Sequence, residues 1–197
     1  MKNAVTIYLS LSLLVFASCS NNKGSATNSN ADSVVQVETG TDTLDARKAR
    51  AELSGTKADT VVKGSADFTT SGDKVELTLN IECPKKANQS VAVHFHEHGD
   101  CGNNGEGAHG HWNPTKEKHG KWGEGAYHSG DIGNIKLDAQ GKAQFTVSSD
   151  RWTIGGDEKT NILKRAIIVH SGVDDYTTQP TGNSGSRIGC GVIEEMK

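Results

Sequence analysis

Eight histidines stand in this chain: His94, His96, His98, His109, His111, His119, His128 and His170. The first seven of them fall within 35 residues, interleaved with glycine and aspartate. A neutral imidazole offers a nitrogen lone pair to zinc and copper alike, so a cluster of this density points to metal binding. The run Ser90 to Glu97 sharpens that reading. In an extended strand, side chains alternate between faces. Val91, Val93 and Phe95 therefore share one face, while Ala92, His94 and His96 share the other. Both imidazoles are sent away from the apolar side, toward one spot. A lone His-x-His pair is a weak signal, found in many β metal sites, cupins included.

Strands are the elements that must position these groups. Lys74 to Glu82 alternates strictly, with Val75, Leu77, Leu79 and Ile81 on one side. Ser71-Gly72-Asp73 reads as a hairpin turn before it, with Val61 to Thr70 as the partner strand. Ile132 to Leu137 and Lys142 to Val147 flank Asp138-Ala139-Gln140-Gly141 and read as another hairpin. Ala166 to His170 and Ile188 to Glu194 supply further short strands. No segment sustains a helical period. Glycine numbers 23, proline 3, and only 5% of residues are aromatic, which suits a loop-rich β protein. Seven or eight short strands in this length predict an all-β sandwich or closed barrel. Two long stretches interrupt the strands, Glu97 to Gly130 and Ser171 to Gly189, and long loops in a compact domain are usually functional. A net charge of -3 gives no polybasic face for nucleic acid.

The ordered blocks resemble the copper/zinc superoxide dismutases. They are His94-Phe95-His96-Glu97-His98-Gly99-Asp100, His111-Trp112-Asn113-Pro114, His119-Gly120 and His128-Ser129-Gly130-Asp131-Ile132-Gly133-Asn134. Val169-His170 through Asp174-Asp175 follows, then Thr181 through Arg187, Cys190 and Ile193. The resemblance covers residues 48 to 197. It implies a Greek-key, immunoglobulin-like β-sandwich or flattened eight-stranded barrel with two long functional loops. It also implies an oxidoreductase that disproportionates superoxide. Copper would be held by His94, His96, His111 and His170. Zinc would be held by His111, His119, His128 and Asp131, with His111 bridging the two ions. Asp174 would link a copper histidine to a zinc histidine, Cys101 and Cys190 would form a disulfide, and Arg187 would attract the anion beside copper. The plain alternative for Arg187 is a structural arginine that pairs with Asp174 or Asp175 or caps loop carbonyls. The alternative for the whole chain is a non-catalytic metal-handling module of the chaperone kind. His98 and His109 lie outside the six-histidine set and read as exposed loop residues, or as helpers in capturing scarce metal. The loop from Asp174 to Arg187 is short, with no Lys or Glu between Asp175 and Arg187. His98 and Glu195 replace apolar dimer contacts of eukaryotic members, so a monomer or a homodimer of another type is expected.

The beginning of the chain reads as an export signal. Lys2 supplies the positive charge, and Val5 to Phe16 a short apolar stretch. Phe16-Ala17-Ser18-Cys19 resembles a bacterial lipobox, which makes Cys19 the lipid-bearing residue. The expected organisation is a signal peptide over 1–18, a lipidated cysteine and polar tether over 19–45, and one domain over 46–197. The expected location is outside the cytoplasm, held to a membrane by lipid, on the periplasmic side. If Cys19 carries lipid, then Cys83, Cys101 and Cys190 remain. Two of these three can pair in an oxidising compartment, and spacing alone does not choose them.

Overall fold

The computed structural model describes residues 46–59 and 61–197. The expected signal, Cys19 and tether lie outside the described residues. Nine strands follow in order: β1 (Lys48–Gly55), β2 (Lys63–Ser71), β3 (Lys74–Glu82), β4 (Ser90–His96), β5 (Asp131–Lys136), β6 (Lys142–Ser149), β7 (Ala166–His170), β8 (Arg187–Val192) and β9 (Glu194–Glu195). Their spatial order is β5-β4-β7-β8-β1-β2-β3-β6, with β9 beside β1, and all pairings are antiparallel. The strands curl into a nearly closed, flattened barrel of eight strands with Greek-key crossovers: in space β3 neighbours β6, and β4 neighbours β7.

The alternation in β3 appears as read. Val75, Leu77, Leu79 and Ile81 are buried, and the residues between them are exposed or half-buried. Ser71 pairs with Lys74, which leaves Gly72-Asp73 as the two-residue turn. Phe68 meets Phe95 edge-on at 5.8 Å in the barrel interior, beside Leu77, Val93 and Val169. Each fully buried side chain of this size contributes about 1.5–3 kcal/mol.

The expected hairpin around Asp138 to Gly141 does not form. The turn is present, with Asp138 N–H donating to the Lys142 carbonyl. Beyond it the strands diverge, because β5 spends its backbone on β4 and β6 spends its backbone on β3. β5 and β6 are thus the two ends of the strand order, and this turn spans the place where the barrel falls short of closure.

Strand β4 is buried on both faces, for two reasons. Val91, Val93 and Phe95 point into the core. Ala92, His94 and His96 point outward, where the two long loops cover them. Ala92 N–H donates to Gly172 of one loop, and Phe95 N–H donates to Gly130 of the other, each at 2.8 Å. A Cβ at Gly130 would sit 2.5 Å from the Phe95 carbonyl oxygen, so only glycine allows this approach.

Candidate metal centre

Three of the histidines come from adjacent strands. His94 and His96 lie on the outer face of β4, and His170 ends β7, which pairs with it. The first long loop returns to pair His96 with His111, and its later turns bring in His119, His128 and Asp131. Two groups of four buried ligand atoms result. His94, His96, His111 and His170 form one; His111, His119, His128 and Asp131 form the other; within each, the atoms lie inside 4.8 Å of one another. His111 belongs to both, and its ring lies 3.9 Å from His94 and 5.3 Å from His119, centroid to centroid.

Hydrogen bonds fix which nitrogen of each ring is free. His94 Nε2 lies 2.8 Å from Asp174 Oδ2, and His119 Nε2 lies 2.9 Å from Asp174 Oδ1. His96 Nδ1 reaches the His109 carbonyl at 2.8 Å, and His170 Nδ1 reaches the Gly185 carbonyl at 3.3 Å. A carboxylate or carbonyl can only accept, so each of these ring nitrogens carries the proton. The opposite nitrogens of His94, His96 and His170 are then lone pairs directed inward, while His119 Nδ1 faces the Asp131 carboxylate at 3.0 Å. His96 Nε2 and His170 Nε2 face each other at 3.4 Å, two lone pairs that repel unless a cation lies between them. His94 Nδ1 and His111 Nε2 are buried with no hydrogen-bond partner, while His119 Nδ1 and His128 Nδ1 have only the Asp131 carboxylate beside them, at 3.0 and 3.2 Å. Two orphaned nitrogens, at about 1–3 kcal/mol apiece, beside two more that crowd one carboxylate, are hard to explain in a protein core without metal ions to satisfy them.

The two groups differ in chemistry. The first is all nitrogen, and three of its members, His96, His111 and His170, line a cavity of about 180 Å³ with Thr181, Ser184 and Arg187. The second is closed and includes a carboxylate. Asp131 stands 2.8 Å from His111 Nδ1, 3.0 Å from His119 Nδ1 and 3.2 Å from His128 Nδ1. An all-nitrogen set suits Cu(II), and a closed tetrahedral N/O set suits zinc.

Protonation follows the same division. Burial holds His96 and His170 well below the usual imidazole range, with neighbouring imidazoles acting in the same direction. Burial likewise pulls His111 down to about 4, against the pull of Asp131. His119 differs: burial opposes its charge, but the Asp131 and Asp174 carboxylates outweigh this and push it up to about 9. Burial alone would raise Asp131 and Asp174, yet their histidine partners hold both well below the usual carboxylate range.

Arg187 opens β8, and its guanidinium donates from Nη1 to the Gly105 carbonyl and from Nη2 to the His109 carbonyl, each at 2.6 Å. Its Nε lies 3.5 Å from a Glu106 carboxylate oxygen. It thus caps loop carbonyls, as one reading of the sequence had it, and it also faces the cavity beside His96, His111 and His170. Asp174 and Asp175 are not its partners. Cys101 and Cys190 form a disulfide with Cα atoms 5.8 Å apart, while Cys83 is free and buried.

Three supporting residues were not singled out from the sequence. Gln179 brackets the backbone of His119, accepting from its N–H at 2.9 Å and donating to its carbonyl at 3.0 Å. Asn134 brackets the backbone of Asp174 in the same way, at 2.8 and 2.9 Å. Gly182 has a φ of +66°, and a Cβ there would overlap Asp174 Oδ1 and stand 2.5 Å from His119 Nε2. Gln179 lies in a loop and gives no periodic signal, and for Asn134 in β5 the strand alternation gives a face but not the Asp174 backbone it holds.

The barrel and its shared histidine define a dinuclear metalloprotein of the β-barrel type. The family described as copper/zinc superoxide dismutase matches residues 62–193. A superoxide dismutase [Cu-Zn] of Aquifex aeolicus is 37% identical over 150 residues, 74% of this chain and 86% of the relative. An extracellular superoxide dismutase [Cu-Zn] of Caenorhabditis elegans is 33% identical, over 81% of this chain and 73% of its own. Among solved structures, the clock protein EA4 superposes with a TM-score of 0.64 at 30% identity, over 75% of this chain and 93% of that one. The chain belongs to the copper/zinc superoxide dismutase family. It is an oxidoreductase whose cofactors are copper and zinc, and it converts two superoxide anions and two protons into dioxygen and hydrogen peroxide.

Proposed function

We propose the following division of labour for that reaction. Copper is held by His94, His96, His111 and His170, and zinc by His111, His119, His128 and Asp131, with His111 shared as an imidazolate. The observation that carries this is the set of buried imidazole nitrogens whose opposite nitrogens are tied to Asp174, His109 and Gly185, leaving lone pairs aimed inward. Copper supplies one-electron redox chemistry, and zinc, which has none, supplies fixed charge and geometry. Asp174 orients both sets at once, since one of its oxygens faces His94 and the other His119. Arg187 docks the anion. Two of its five N–H donors go to loop carbonyls, which locks the guanidinium in place and leaves others for superoxide. His111 is among the residues that line the cavity, and burial makes its ring reluctant to hold a proton.

The test is elemental analysis of variants. His111→Ala should lower both copper and zinc occupancy, whereas Asp131→Ala should lower mainly zinc. Unchanged occupancy of both ions in His111→Ala would rule out the shared ligand.

The proposal extends to location. Residues 1–18 are read as a signal peptide, Cys19 as the lipidated residue, 19–45 as a tether and 46–197 as the enzyme domain, held at a membrane on the periplasmic side. The Cys101–Cys190 disulfide supports an oxidising compartment. Cys19→Ser should release the protein from membranes or block processing. Unchanged fractionation, with no acyl mass on the mature N-terminus, would refute the anchor.

A further inference from the structure

Six of the eight histidines are accounted for, and the remaining two have come together on the surface. His98 and His109 meet edge-on with ring centroids 4.5 Å apart at an interplanar angle of 85°. Glu97 completes the group: one ligand atom from each of the three lies within 4.8 Å of the others, and all three residues are exposed. The backbone builds this juxtaposition. Beyond the His96–His111 bridge, Glu97 N–H donates to the Gly110 carbonyl at 3.0 Å and His98 N–H to the Ala108 carbonyl at 3.2 Å. Residues 97 and 98 are thereby held against 108 to 110. Arg165 pins the Glu97 carbonyl at 2.6 Å. His109 adopts φ 60° and ψ -142°, a region that residues with a side chain rarely enter. The backbone is therefore set, and only exposed side-chain torsions remain to be adjusted.

We infer that Glu97, His98 and His109 form a third metal site, open to solvent, for a divalent cation of the zinc or copper(II) kind. Two imidazoles and a carboxylate make a donor set that these ions favour. Ligands about 2.0–2.1 Å from a tetrahedral ion stand about 3.3 Å apart, so three exposed side chains already inside 4.8 Å need only small rotations to close on one. The fourth position stays with water, which suits capture and release better than permanent retention. The site lies beside the copper ligands: His98 is two residues from His96, and His109 two residues from His111. The His109 carbonyl accepts from both His96 Nδ1 and Arg187 Nη2. An ion that seats His109 also steadies the carbonyl that orients the ring of His96 and the guanidinium of Arg187. This last coupling rests on the ligand assignment proposed above; the site itself does not.

The experiment uses the full chain loaded with one copper and one zinc, titrated with zinc chloride in a non-chelating buffer and followed by calorimetry. One further equivalent should bind. In His98→Ala and Glu97→Gln the affinity for that equivalent should fall by about tenfold or more, the least that loss of a ligand's own hydrogen-bond partner already costs. Assayed before any third ion is added, both variants should keep native copper and zinc content and wild-type activity. The inference is overturned if the loaded wild type takes up no third ion, or if His98→Ala takes it up with unchanged affinity. Loss of a native ion from His98→Ala would equally refute a separate site. A wild type that holds fewer than two ions before titration would instead count against the ligand assignment.

Discussion

Asp174→Asn is the most informative single substitution, because the geometry around Asp174 predicts which metal suffers. The side chain is almost wholly buried, and asparagine has the same shape, so the fold should survive. The carboxylate accepts on both sides: Oδ2 takes the His94 proton at 2.8 Å, while Oδ1 takes the His119 proton at 2.9 Å and the Tyr176 N–H at 2.7 Å. Asparagine keeps one acceptor and turns the other into a donor. Two donors converge on the Oδ1 position and one on Oδ2, so the amide oxygen settles at Oδ1 and the NH2 is forced against His94. His94 then loses its acceptor, and its ring is free to turn or change tautomer. Loss of such a partner costs about 10–100-fold in metal affinity, or about 1.4–2.8 kcal/mol. Copper affinity should therefore fall by that factor, while zinc affinity changes less. Asp174→Ala, which removes both acceptors, should weaken both ions. Chelator competition on the loaded protein, read separately for each metal, measures the ratio. If Asp174→Asn weakened zinc more than copper, or neither, the tautomer reasoning behind both ligand sets would be wrong.

Arg187→Lys should keep more activity than Arg187→Ala, and Arg187→Glu should be lowest, at least about tenfold down, with normal copper content and a rate that falls as salt rises in the wild type. Full activity of fully loaded Arg187→Glu at low ionic strength would end the docking role. A non-reducing peptide map should join Cys101 to Cys190, which are 89 residues apart, and breaking that link should cost about 4–5 kcal/mol on the entropic account. Cys83 should resist alkylation until the protein unfolds. In the metal-free protein, His111 is held down to about 4, so the unfolded chain binds protons that the folded chain refuses between about 6.5 and 4. Stability should decline as pH falls through that window, and denaturant melts that stay flat from pH 7 to 4.5 would contradict it. His119, pushed up to about 9, acts in the other sense: its contribution is complete below about 6.5 and fades as pH rises through 9. Zinc must displace that proton, so zinc uptake should strengthen from pH 7 to 9.

Much of this was legible in the residues. The alternation of Val75, Leu77, Leu79 and Ile81 located β3 to the residue, because one face of that strand meets solvent and the other the core. The same period of two put His94 and His96 on one outer face. The Asp138 to Gly141 hairpin misled, since turn chemistry reports only the local bend and says nothing about which partner each strand takes beyond it. Strand bounds shifted where loops joined them: Ile188 to Glu194 divides into β8 and β9, and Arg187 enters the strand. The three-dimensional meeting of Glu97, His98 and His109 was invisible as a group, because it depends on a left-handed backbone at His109 that no pattern announces. Arg187 could be marked as important, but its grip on two loop carbonyls required the fold.

Strand β4 carries core and chemistry on opposite sides, and this has a consequence for the fidelity of folding. Val91, Val93 and Phe95 anchor one face; His94 and His96 occupy the other. A slip of one residue against β5 or β7 would exchange the two sets. Imidazoles would enter an apolar interior that offers them no partner, and phenylalanine would stand where the ions are meant to bind. Misregistered chains would thus be penalised twice, once in the barrel and once at the metals. Such chains would also bind neither ion, so copper and zinc would selectively reward correctly registered molecules. The histidine pair acts as a proofreader for the strand that bears it.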